Sequence, residues 1–124
     1  MEQFLGIGLG GFLGANARYW ISAWAAGKWG AAFPYGTLLV NVTGSLALGF
    51  FLGAATDRFI VDPRWRMFIA IGFLGAFTTF STYTYESAEM LTQGLWLQAL
   101  ANLLLSNGLG LAAACIGISL GRMH

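Results

Sequence analysis

The sequence predicts an all-α membrane protein of four transmembrane helices with a break in the third. Of its 124 residues 57% are hydrophobic and only 9% charged, with a mean hydropathy of +0.68; soluble domains carry about 25% charged residues. No charge occurs between Trp29 and Thr56, between Met67 and Tyr85, or between Met90 and Gly121, and each run reaches the ~20 residues a helix needs to cross a bilayer. A further apolar run, Phe4 to about Ala25, is interrupted only by Arg18. The third observation is the stretch from Gly72 to Glu86, which begins as apolar membrane sequence and turns midway into hydroxyls and aromatics.

These runs give one transmembrane domain over residues 1–124, with spans at about 4–25, 35–55, 65–91 and 95–121. Four spans leave room for short loops and no soluble catalytic domain. The net charge of +1 gives no reason to expect a nucleic-acid partner. Cys115 is the single cysteine, which excludes a disulfide framework within the chain. The leader Met1-Glu2-Gln3 has no basic residue, so the first span is expected to be retained rather than cleaved as a signal.

In the first span Gly6, Gly10 and Gly14 recur every four residues and share one helical face, where another backbone can approach closely. Arg18, on the same helix, either snorkels to the headgroups or attracts anions into a vestibule. Gly27-Lys28-Trp29-Gly30 and Phe33-Pro34-Tyr35-Gly36 read as a turn with interfacial aromatics and a proline opening the second helix. That helix carries Thr37, Asn41 and Ser45 as a polar stripe. The Asn41 amide must use its donors and acceptor inside the membrane, for helix–helix adhesion or for a ligand.

Asp57-Arg58 and Asp62-Pro63-Arg64-Trp65-Arg66 form a charged, solvated loop. In the third span Gly72 and Gly75, followed by the β-branched pair Thr78-Thr79, weaken the helix. Two readings stand: a break that turns backbone groups toward a buried site, or a Gly/Thr face packed on a neighbour. Beyond it, Thr79, Thr82 and Glu86 lie within about 60° of one another on an α-helix, and Phe80 and Tyr83 share a neighbouring sector. Glu86 reads equally as a snorkelling or capping carboxylate and as a functional one. After a turn at Gln93-Gly94, the fourth span repeats Asn102, Ser106 and Gly110, then Gly117 and Gly121. The terminal His124 has no Cys or His cluster beside it, so no metal role is expected there.

No phosphate-binding loop, catalytic triad or metal-ligand spacing occurs, so no enzyme is predicted. Three spans offer uncharged polar stripes, and none of the five acids sits at mid-span. Coupled transport usually places a carboxylate deep in the membrane, so the pattern points to passive conduction. Amide and hydroxyl donors, together with the positive rim of a phenyl ring, suit a small anion.

At this point the residues resemble a known family. Gly10-Gly11-Phe12-Leu13-Gly14-Ala15 with Arg18-Tyr19, Gly36-Thr37-Leu38 with Asn41 and Gly44, and Gly72-Phe73-Leu74-Gly75 with Thr78-Thr79-Phe80-Ser81-Thr82 are similar to the signature segments of the Fluc/CrcB fluoride channels. The resemblance implies an antiparallel, dual-topology homodimer with two pores in the bacterial inner membrane. It would export fluoride passively from the cytoplasm and so confer fluoride resistance. It implies a structural Na+ at the dimer interface, held by the backbone carbonyls of Gly75 and Thr78 from both subunits. Asn41 would orient a pore-side donor, Phe80 and Tyr83 would form an aromatic box, and Ser81, Thr82 and Glu86 would belong to a polar track. Ser106 and Asn102 would lie on the pore face of the fourth helix, with Arg18 at the vestibule. The chain departs from the commoner pattern at Tyr83, where many relatives have Phe.

Loop charges bear on the topology independently. With cytoplasmic termini, Arg58, Arg64, Arg66 and Arg122 stand inside against Lys28 and Arg18, a modest bias that predicts mixed insertion. The rival from another class is a small four-span proton-coupled drug transporter, which needs a carboxylate embedded in its first span; this span offers Arg18. A non-conducting scaffold subunit would account for the glycine faces but not for the polar stripes.

Overall fold

A computed structural model describes residues 1–57 and 62–123, all of whose regular elements are helical. Arg58 and His124 lie outside the described residues. Helix α1 (Glu2–Trp29) closes at Gly30, whose φ of +81° lets its N–H return to the Ala26 carbonyl. Around this end Trp24, Trp29 and Tyr35 pack ring on ring, with the Lys28 ammonium 5.7 Å from the Trp24 ring. Such amphipathic rings suit a membrane–water boundary. Helix α2 (Tyr35–Asp57) follows directly on Pro34, as the sequence predicts.

The third span is built in pieces: α3 (Pro63–Arg66), a π-helix (Met67–Leu74), α4 (Gly75–Phe77) and α5 (Ser81–Thr92). Asp62 starts it by accepting from the Arg64 N–H, with Pro63 at the first helical position. Hydrogen bonds from the Arg64 side chain and N–H hold the Asp62 carboxyl down at a pKa of about 2. Gly94, at φ +79°, turns the chain into α6 (Trp96–Met123).

The break lies at Thr78–Phe80, where Thr78 is extended (φ −90°, ψ 160°). Gly72 and Gly75 are themselves in helical segments, so the glycines read as weakening the span are not where it opens. Gly72 serves close packing instead: a Cβ there would sit 2.9 Å from the Ile7 carbonyl oxygen of α1.

By length and composition, three segments can cross a membrane: Tyr35–Ala55, Pro63–Thr92 and Trp96–Met123. Helix α1 covers the expected first span in 28 residues, roughly 42 Å at 1.5 Å per residue. It does not count among the three, and Asn16, Arg18 and its glycines dilute its apolar character.

Glycine contacts set the packing. Gly10 and Gly14 bring α1 onto the backbone of Phe68 and Phe73, while Gly6 stands farther off. On the other side α2 runs along α6, where Gly49 and Gly53 face Ala114 and Ile118, and Gly117 and Gly121 face Leu46 and Phe50. With no hydrophobic drive between helices in lipid, such close contact is what holds them together. The outward faces carry large apolar side chains, among them Phe4, Leu97 and Leu111, as a bilayer requires.

Candidate functional site at the broken helix

A helix that opens inside a membrane leaves backbone groups that lipid cannot satisfy, so protein partners must reach it. Two arrive from distant positions. Arg18 Nε donates to the Ala76 carbonyl at 3.0 Å, capping the end of α4. The Asn41 side chain pairs with Thr79 on both sides, its Nδ2 donating to the Thr79 carbonyl at 2.9 Å and its Oδ1 accepting from the Thr79 N–H at 2.7 Å. Locally, the Thr78 hydroxyl returns to the Leu74 carbonyl at 3.1 Å, and Thr79 Oγ1 accepts from the Thr82 N–H at 3.2 Å, opening α5. Among the described residues no hydrogen bond reaches the carbonyls of Gly75 or Thr78.

Beside the break lies a cavity of about 320 Å³ whose wall includes Asn41, Ser45, Gly75, Thr78, Phe80, Tyr83 and Ser106. Phe80 is 76% exposed and Tyr83 only 7%; their ring centroids are 6.0 Å apart with planes tilted by 59°. Amides, hydroxyls, the Phe80 and Tyr83 rings and the aliphatic Leu48, Ala70 and Leu74 line this cavity, with no carboxylate, Lys or Arg among the described residues. Such a wall can take an ion without titrating.

A second cavity of about 540 Å³ is lined in part by Thr82, Tyr85, Glu86 and Glu89 of α5. Among the described residues none hydrogen-bonds to the buried Glu86 Oε1. A small recess of about 90 Å³ joins Glu86 to Thr37 and Ser22. The α2 stripe therefore divides, with Thr37 beside Glu86 and with Asn41 and Ser45 at the break.

The residues singled out in the sequence thus fall into groups. Asn41, Phe80, Tyr83, Ser106, Gly75 and Thr78 meet at one cavity, and Thr82 and Glu86 at the other. Arg18 contacts the break from α1, well inside its helix. Ser81 is exposed, its carbonyl accepting from the Thr84 hydroxyl. Asn102 is 1% exposed in the seam between α5 and α6. There it donates to Ser87 Oγ at 2.9 Å and accepts from Ser106 Oγ at 3.3 Å, while Ser87 donates to the Tyr83 carbonyl.

Sequence reasoning passed over Ser87 and Asn107. Asn107 also lines the cavity at the break and donates to Tyr83 Oη at 2.8 Å. The available signal was an asparagine in a membrane span, one residue beyond the Asn102/Ser106 stripe.

Comparison with known proteins agrees along almost the entire chain. Residues 5–118 match the model of the family described as CrcB-like protein, Camphor Resistance (CrcB). A protein of Koribacter versatilis named fluoride-specific ion channel FluC is 51% identical over 113 residues, 91% of this chain and 90% of that one. Proteins of the same name from Roseiflexus sp. and Sulfurihydrogenibium sp. are 46% identical over 121 residues and 43% over 123, covering 98% and 99% of both chains respectively.

Proposed function

Because this chain belongs to the CrcB-like family, we propose that it is a fluoride-specific ion channel, as its relatives are named. It is a multi-pass membrane protein and not an enzyme. The observation that carries the reading is the pairing of Asn41 with Thr79, which holds a helix open beside an uncharged cavity lined by polar, aromatic and aliphatic side chains. Stripping a small anion of its water costs tens of kcal/mol by Born estimate unless replacement donors are in place. The Ser45 and Tyr83 hydroxyls and the second N–H of Asn41 are the donors on this wall that can meet part of that cost. The proton-coupled drug transporter finds no support, since the first helix carries Arg18 and no carboxylate between Phe4 and Trp29.

In this reading four helices span the bacterial inner membrane, α1 included, and fluoride leaves the cytoplasm passively, which confers resistance. Two antiparallel copies form the working unit, in keeping with the modest loop-charge bias. Phe80 and Tyr83 form the aromatic box, Ser81, Thr82 and Glu86 the polar track, and Ser106 the fourth-helix face, with Asn102 supporting it from behind. Arg18 braces the break by capping the Ala76 carbonyl. Na+ suits the carbonyls of Gly75 and Thr78: these are neutral hard oxygens that accept no hydrogen bond among the described residues, and both residues line the cavity. Bound there, the cation would supply positive charge to an otherwise neutral centre. Expression in a bacterium sensitised to fluoride tests the reading. Restored growth in fluoride medium is expected, and well-expressed protein that restores none would contradict it.

A further inference from the structure

Tyr83 is held by a contact that fixes which way its hydroxyl works. One nitrogen, Asn107 Nδ2, lies 2.9 Å from the Leu103 carbonyl oxygen and 2.8 Å from Tyr83 Oη. A carbonyl oxygen can only accept, so the Asn107 atom facing it is the NH2 end of the amide. Its second N–H then goes to the phenol, and Tyr83 Oη accepts. The phenol proton is left for another acceptor, and among the described residues no hydrogen bond from it is made. A hydroxyl that accepts one hydrogen bond is polarised into a better donor. Both residues line the cavity that Asn41, Ser45 and Ser106 also line.

We propose that the Tyr83 hydroxyl, oriented by Asn107, is a hydrogen-bond donor to the small anion in this cavity. The identity of that anion rests on the fluoride reading above. A phenylalanine at this position would present only the weakly positive rim of its ring. The phenol adds an O–H, and a hydrogen bond to an ionised acceptor is shorter and about twice as strong as a neutral one. Position 83 therefore acts on how tightly the anion is held, and Asn107 is a positioning residue that acts through the phenol.

Fluoride efflux from liposomes, measured at graded fluoride concentrations, tests this in wild type, Tyr83→Phe, Asn107→Leu and the double variant. Tyr83→Phe is expected to raise the half-saturating fluoride concentration about tenfold. Asn107→Leu should raise it to a similar degree, and the double variant no further than Tyr83→Phe alone, because the amide then has no hydroxyl to orient. Should Asn107→Leu fail to fold, Tyr83→Phe decides by its own concentration dependence. A conducting wild type with an unshifted Tyr83→Phe overturns this proposal alone, as do single effects that multiply in the double variant. A wild type that passes no fluoride overturns the fluoride reading and this proposal together.

Discussion

The Asn41 side chain hydrogen-bonds both backbone groups of Thr79, 38 positions away, at 2.9 and 2.7 Å. One amide thereby takes the place of the helical partners that Thr79 gives up at the break. Replacing it with Asn41→Leu leaves an N–H and a C=O unpaired in a low-dielectric setting. We predict a loss of about 3 kcal/mol in unfolding free energy in detergent, together with loss of anion flux. Unchanged stability would mean that the break holds itself open.

Arg18 caps the Ala76 carbonyl. Arg18→Leu should therefore lower stability by about 1–3 kcal/mol, and to the same extent at low and high ionic strength. A role in attracting anions would be screened by salt. A variant of wild-type stability whose flux defect disappears in high salt would move Arg18 from the cap to the vestibule.

The α1 glycine face makes a steric prediction. A Cβ at Gly10 would sit 2.8 Å from the Phe73 nitrogen, and one at Gly14 would press on the Phe73 carbonyl, whereas Gly8 has nothing within 4 Å. Gly10→Ala and Gly14→Ala should each cost about 1–3 kcal/mol or more. Gly8→Ala should be neutral or stabilise by up to about 1 kcal/mol. Thermal unfolding in detergent separates the two classes, and equal effects at all three positions would rule out this packing.

Phe80 offers its ring, largely exposed, beside Tyr83. Phe80→Ile keeps apolar bulk and removes the polarised rim. We predict that fluoride flux falls about tenfold or more in a protein that elutes and melts like the wild type. Wild-type flux in this variant would remove Phe80 from the conduction path.

Much of this architecture was legible in the chain. Long charge-free runs marked the spans, and the four-residue spacing of Gly10 and Gly14 marked a face that does press on another backbone. The break in the third span was legible, and it opens at the Thr78-Thr79 pair rather than at the glycines before it. Gly72 and Gly75 weaken a helix in isolation, yet in lipid Gly72 is used for close approach to α1, and both remain helical. What fixes the opening at Thr78–Phe80 is tertiary: Asn41 and Arg18 reach it from 38 and 58 positions away. Spacing along one chain does not encode such pairs.

Asn107 escaped notice for a related reason. It lies one position off the Asn102/Ser106 stripe, and its meeting with Tyr83 depends on how α5 crosses α6. Asn102 belonged to the legible stripe, but its depth in the α5–α6 seam became visible only from the packing.

The most direct test of the central claim is ion efflux from liposomes containing the purified protein, followed with a fluoride-selective electrode and a chloride electrode in parallel. The account predicts rapid loss of fluoride with chloride retained, while protein-free liposomes lose neither. Retention of fluoride by vesicles holding well-folded protein, or equal loss of both anions, would contradict it.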